Sequence, residues 1–120
     1  MRTRSDLSQM QGRWRAIKNF PDYLVSDKGE VFSLKVMQVM KPYVNHKGYF
    51  KIGLLDENGK RYKKRVNKLV AEAFIPNPLG LQEVNHKNLD KQDNRVTNLE
   101  WVTGKQNREH YRRMKLQRVV

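Results

Sequence analysis

An α+β fold is predicted, an antiparallel β module joined to a strand–loop–strand–helix unit, and three observations carry it. Between Trp14 and Val66, short alternating apolar runs are separated by turn signals, Asp27-Lys28-Gly29 and Asp56-Glu57-Asn58-Gly59. Between Val84 and Tyr111 the pattern changes to two short strands around a polar loop, followed by a helix. Ile75-Pro76-Asn77-Pro78 punctuates the chain between the two patterns, because each proline disfavours helix before it.

In chain order, residues 1–12 carry no periodic apolar pattern and are expected to form a basic arm. Residues 13–66 form the expected β module. Trp14, Ile17 and Phe20 lead into a strand ending at Ser26, and Glu30 to Leu34 runs back. Tyr49 to Leu55 alternates, with Phe50, Ile52 and Leu54 on one face, and Asn58-Gly59 turns the chain. The return strand, Lys60 to Val66, puts Arg61, Lys63 and Arg65 on one face and Tyr62, Lys64 and Val66 on the other. So many cations on one strand repel one another until a polyanion relieves them. Lys60, Arg61, Lys63, Lys64 and Arg65 are therefore candidate DNA contacts, and a solvated sheet face is the bland alternative.

The second unit spans residues 67–120, with its ββα core at about 84–114. Asn67 is expected to cap a short helix from Lys68 to Phe74, with Leu69, Val70, Ala73 and Phe74 facing a core. Val84 to His86 is the first strand, Lys87 to Thr97 the loop, and Leu99 to Val102 the second strand. Thr103 followed by Gln106 is a capping-box pattern that opens the last helix. On that helix Asn107, His110 and Tyr111 share a face by their spacing. Arg108, Arg112 and Arg113 are candidate phosphate contacts or a solvated end, and Trp101 reads as core.

Composition narrows the chemistry. A net charge of +13 on 120 residues, of which 38% are hydrophobic, describes a small core under a strongly basic surface and points to a polyanionic partner. There is no cysteine, so neither a disulfide nor a thiolate-bound zinc can form. The longest apolar run is three residues, so no membrane span or signal peptide is expected, and the expected location is the cytoplasm. One imidazole, His86, at a strand end near amide oxygens suggests metal-assisted attack on a phosphodiester.

The stretch VNHK…KQDN…TNLEWVT…N resembles the phage intron-encoded HNH homing endonucleases, whose nuclease unit is the ββα-metal fold. The phrase WRAIKNFPDYLVSDKGEVFS resembles the small module that precedes the nuclease in the same enzymes. The two likenesses cover residues 14 to about 111. The resemblance implies a metal-dependent DNA endonuclease that nicks double-stranded DNA at each active site. It makes His86 the general base, Asn85 and Asn107 the metal ligands, and Asn98 the brace of the loop. His110 is a further candidate contact to metal or phosphate. An imidazole with an ordinary pKa near 6.5 suits a base at neutral pH, and amide oxygens suit Mg²⁺ or Mn²⁺. If the gene is phage-encoded, the cytoplasm is the host's. A homodimer is one route to a double-strand break.

This sequence departs from the family pattern in two places. Asn88-Leu89 stands where the family has Asp-Gly, which puts the loop path in question, and Asn67 stands where the family has His. Two other readings stay open: a regulator that binds DNA on the same fold without cutting it, and a basic RNA-binding protein. Nicking of plasmid DNA with Mg²⁺ or Mn²⁺ separates the enzyme from both.

Overall fold

A computed structural model describes residues 12–119, so the expected basic arm lies, apart from Gly12, outside the described residues. The architecture is α+β, with three small antiparallel sheets around a helix. In the first sheet, β1 (Trp14–Ile17) and β2 (Phe20–Ser26) form a hairpin whose turn places Asn19 at φ 71°, a left-handed conformation that asparagine tolerates better than most residues. The chain returns as β3 (Val31–Ser33) and then β4 (Gln38–Val39). The two-residue strands β4 and β5 (Tyr43–Val44) were not expected, being too short to carry an alternating pattern.

The second sheet pairs β5 with β6 (Phe50–Leu55), and β6 with β7 (Arg61–Arg65). Ile52 and Leu54 are buried, and their cross-strand partners are Lys64 and Tyr62. The opposite face carries Lys51 across from Arg65 and Gly53 across from Lys63, with Arg61 at the end. Arg61, Lys63 and Arg65 thus share one face, as their alternation predicts. Lys64 instead covers the core rim, its ammonium 5.7 Å from the Phe20 ring centre and 5.6 Å from that of Tyr62.

Helix α1 (Val66–Phe74) follows β7 without a loop. The expected start is corrected here: Arg65 occupies the N-cap position and gives no side-chain cap, while Asn67 lies inside the first turn. The cause is burial. Val66 is only 1% exposed, and packing it draws the helix two residues forward of a cap-based start. Asn67, also buried, accepts the Lys68 N–H at 3.0 Å. Helix α1 packs against β1, β2, β6 and β7 on one side and against the later strands β8 (Glu83–His86) and β9 (Leu99–Val102) on the other. One apolar cluster therefore runs from Ile17, Phe20 and Val25 through Leu54, Leu69 and Val70 to Val84 and Leu99.

Strands β8 and β9 pair with Asn85 opposite Glu100 and His86 opposite Leu99. A 3-10 turn, Val96–Asn98, leads into β9. Trp101 packs on the core and donates its indole N–H to the Ile75 carbonyl at 3.0 Å. Helix α2 (Gly104–Val119) opens with the predicted reciprocal cap. Thr103 N–H donates to Gln106 Oε1 at 2.9 Å, and Gln106 N–H donates to Thr103 Oγ1 at 3.1 Å. Among the described residues, no helix is long and apolar enough to cross a membrane.

Candidate active site

His86 ends β8 and is 5% exposed, at the floor of a cleft of about 700 Å³ between the hairpin and α2. Asn85, Leu89, Lys91, Asn107 and Arg108 line the same cleft. The structure thus brings together His86, Asn85 and Asn107 from β8 and from the first turns of α2.

The imidazole is held from behind. His86 Nε2 lies 2.7 Å from Asn94 Oδ1, and Asn94 is itself 4% exposed. An amide oxygen only accepts, so Nε2 carries the ring proton and Nδ1 is left with its lone pair. Burial holds the imidazole below its ordinary pKa of 6.5. The Asn94 hydrogen bond and the carboxylates of Asp90 and Asp93 oppose that effect without reversing it, and Lys91 adds to it.

Asn85 is oriented in the same manner by its cross-strand neighbour. Its Nδ2 donates to Glu100 Oε1 at 2.9 Å, which turns Oδ1 into the end of the amide that could hold a cation. Asn107, on the first turns of α2, provides a second amide. Among the described residues no cluster of three His, Asp or Glu side chains could hold a metal. Asn85 and Asn107 together could offer two neutral amide oxygens, a chemistry that would suit a hard divalent cation completed by phosphate and water.

The polar loop is self-satisfied. Asn98 Nδ2 donates to Asp93 O at 2.8 Å and to Asn88 Oδ1 at 3.0 Å, and its Oδ1 accepts the Asn88 N–H at 3.0 Å. The Asn98 carbonyl also accepts the Lys87 N–H, so one side chain and its backbone close both ends of the loop. Arg95 grips Asp93 through two bonds, 2.8 and 2.7 Å, and together with Asn88 holds that carboxyl far below the usual carboxylate range. Leu89 takes φ 67° where the family pattern has glycine. The turn keeps its left-handed position at the cost of backbone strain.

Other expected contacts are dispersed. His110 Nε2 lies 3.0 Å from the Lys87 carbonyl, which ties α2 to the hairpin. Arg108 and Arg112 line the cleft, whereas Arg113 is exposed on α2 outside it. Lys60, at the hairpin turn, sits 5.2 Å from the Tyr62 ring centre. Sequence reasoning missed Asn94, Glu100, Tyr49 and Lys91. Glu100 could have been found by counting outward from the Lys87–Asn98 closure, which sets it opposite Asn85. Tyr49 connects the basic sheet to the cleft: its ring centre is 4.3 Å from Arg65, 4.9 Å from Lys91 and 5.9 Å from that of His86.

Comparison with known proteins gives the site its context. Residues 68–109 match the HNH endonuclease family model, and residues 13–54 match the NUMOD4 motif. The chain is 40% identical over 101 residues to the DNA endonuclease I-HmuI of Bacillus phage SP01, covering 81% of this chain and 56% of that protein. It is 36% identical over 95 residues to an uncharacterized HNH endonuclease of Acanthamoeba polyphaga mimivirus, covering 79% of this chain and 28% of that one. The H-N-H endonuclease F-TflII of Escherichia phage T5 is 29% identical over 97 residues, covering 79% and 50%. A solved structure, described as DNA binding and cleavage by the HNH homing endonuclease I-HmuI, superposes with a TM-score of 0.76 at 36% identity, over 89% of this chain and 65% of that one. The chain spans about half the length of the phage relatives and about a quarter of the viral one. With its NUMOD4 and HNH matches in series and the I-HmuI fold around them, it is a homologue of the phage HNH homing endonucleases.

Proposed function

We propose that this protein hydrolyses phosphodiester bonds in double-stranded DNA, acting in the cytoplasm of a host cell, with His86 as general base and Asn85 and Asn107 holding a divalent ion, Mg²⁺ or Mn²⁺. The single observation that carries the reading is the His86–Asn94 hydrogen bond. It commits one imidazole nitrogen to the protein and leaves the other to accept a proton from water, on a residue that lines a basic cleft.

The chain's own residues divide the work. His86 Nδ1 takes the proton of the attacking water. The positive charge that then develops on the ring is shared with Asn94 Oδ1 through the bond that already orients it. Glu100 turns the Asn85 amide so that its oxygen is the ligating end. Arg108, Arg112 and Lys91 line the cleft and would grip phosphates on either side of the scissile bond. When bound, a divalent ion supplies Lewis-acid stabilisation of charge on the phosphate and the leaving oxygen.

The test is plasmid nicking with Mg²⁺ or Mn²⁺. His86→Ala is expected to bind DNA as the wild type does and to cleave about 10²–10⁴-fold more slowly, the usual size of a general-base contribution. Asn107→Ala should also cleave poorly, with partial recovery at high Mn²⁺, whereas no metal concentration should rescue His86→Ala. Wild-type cleavage by His86→Ala would remove His86 from the mechanism. A wild-type protein that binds DNA without nicking it would instead be a non-cutting regulator.

A further inference from the structure

The Asn94 side chain that holds the catalytic base is not supported by the nuclease unit alone. Its outer side rests on the turn between β2 and β3, in the NUMOD4 module. Gly29 of that turn lies at φ 89°, and a Cβ there would come within 2.9 Å of Asn94 Cβ and 3.0 Å of the Asn94 carbonyl oxygen. Only glycine allows both the backbone conformation and the approach. Two residues on, the Val96 N–H donates to the Asp27 carbonyl at 2.9 Å, so the loop is pinned to the same turn by its backbone.

The turn is stiff. Ser26 is fully buried, and its Oγ accepts the N–H groups of Lys28 at 3.2 Å and Glu30 at 3.0 Å. Ser26 also makes backbone hydrogen bonds with Glu30 and Gly29. Pressure applied at Gly29 would therefore bear directly on Asn94, whose Cβ and carbonyl are the atoms a side chain there would meet. A displaced Asn94 carries His86 Nε2 with it.

From this contact we infer that the β2–β3 turn of the N-terminal module is a positioning element of the nuclease, acting on the general base through Asn94. The inference rests on His86 being that base. The NUMOD4 module would then contribute to the rate of cleavage as well as to DNA affinity. Gly29 touches neither the cleft nor the basic face of β6–β7, so its effect should fall on cleavage and leave binding alone.

The experiment measures DNA affinity without divalent metal, and single-turnover cleavage at saturating protein across pH, for Gly29→Ala, Ser26→Ala, Asn94→Ala, Asn94→Asp and His86→Ala. Gly29→Ala should keep wild-type affinity and lose about 10²-fold in cleavage rate, the scale of a misplacement of about 1 Å. Ser26→Ala, which loosens the turn without adding bulk, should lose less in the same direction and covers a Gly29 variant that fails to fold. In the Asn94→Ala background Gly29→Ala should cost little more, because the route to His86 is already cut. Asn94→Asp keeps an acceptor at Nε2, so it should retain more cleavage than Asn94→Ala, a rescue that a merely space-filling role would not produce. The inference is overturned if Gly29→Ala or Ser26→Ala folds and cleaves at the wild-type rate, or if the Gly29 and Asn94 losses simply multiply. Wild-type cleavage by His86→Ala would sink the base assignment itself, an outcome separate from either.

Discussion

A base that works near neutral pH must be neutral before the substrate arrives, and the surroundings of His86 suit the role proposed for it. Burial lowers its pKa, so the acidic limb of kcat/KM, which reports the free enzyme, is expected to have its midpoint below 6.5. A midpoint above 6.5 would mean that a carboxylate, and not burial, governs the ring. The same depression links to stability. Above pH 6.5 the folded and unfolded states both hold the ring neutral. As the pH falls below that, the unfolded chain takes up a proton that the folded one resists, so stability declines until the folded pKa is reached. Leu89 makes a second prediction at this scale. A leucine at φ 67° carries strain of about 1–2 kcal/mol, partly offset by the extra chain entropy that glycine loses on folding. Leu89→Gly should therefore leave thermal stability unchanged or raise it by up to about 1 kcal/mol, where an ordinary buried Leu truncation costs about 2–5 kcal/mol. A fall of the second size in a melting experiment would show that the side chain packs far better than its place at the cleft wall implies. His86, Asn85, Asn98 and Asn107 could be named as candidates because their spacing matches a known motif, and the structure sets His86, Asn85 and Asn107 along one cleft with Asn98 bracing the loop. Asn94 could not: it is one of several short polar residues in the loop, and only tertiary packing against Gly29 and His86 distinguishes it.

Elements were more legible than single contacts. The β6–β7 hairpin announces itself by alternation and Asn58-Gly59, and the start of α2 by Thr103 and Gln106, because these signals are local in the chain. The start of α1 was misplaced because burial of Val66 outweighed the capping preference of Asn67, and burial is not local. The basic face of β7 gives the prediction at this scale. Changing Arg61, Lys63 and Arg65 together to Ala should weaken DNA binding and flatten the slope of log affinity against log salt by about 2–3, near 0.9 for each phosphate that the protein no longer neutralises. An unchanged slope in a filter-binding or anisotropy titration would place the DNA elsewhere, with the cleft face of α2 and its Arg108 and Arg112 as the next surface to change.

At the scale of the molecule, the described residues hold one candidate base, His86, and one pair of candidate amide ligands, which the proposed mechanism makes enough for one strand. A time course on supercoiled plasmid should show nicked circles before any linear product. Linear product at the earliest times, with no nicked intermediate, would require two protein subunits with opposed sites. The matched region of I-HmuI is 56% of that protein and spans the counterparts of both the NUMOD4 and the HNH units. What is matched is the pair of units together, and the physical reason lies in α1, which packs on strands of both.

That shared helix restricts how such proteins can be recombined. The NUMOD4 match ends at residue 54 and the HNH match begins at residue 68, as though the chain could be cut between them and each piece joined to a new partner. The core does not allow so free an exchange. A crossover in that interval would separate Ile52 and Leu54 from Leu69 and Val70, and would set a foreign glycine turn against Asn94. A successful graft has to carry α1's partners on both sides, so the inherited unit is a matched pair, and a homologue's front half is a replacement part only when its turn fits this loop.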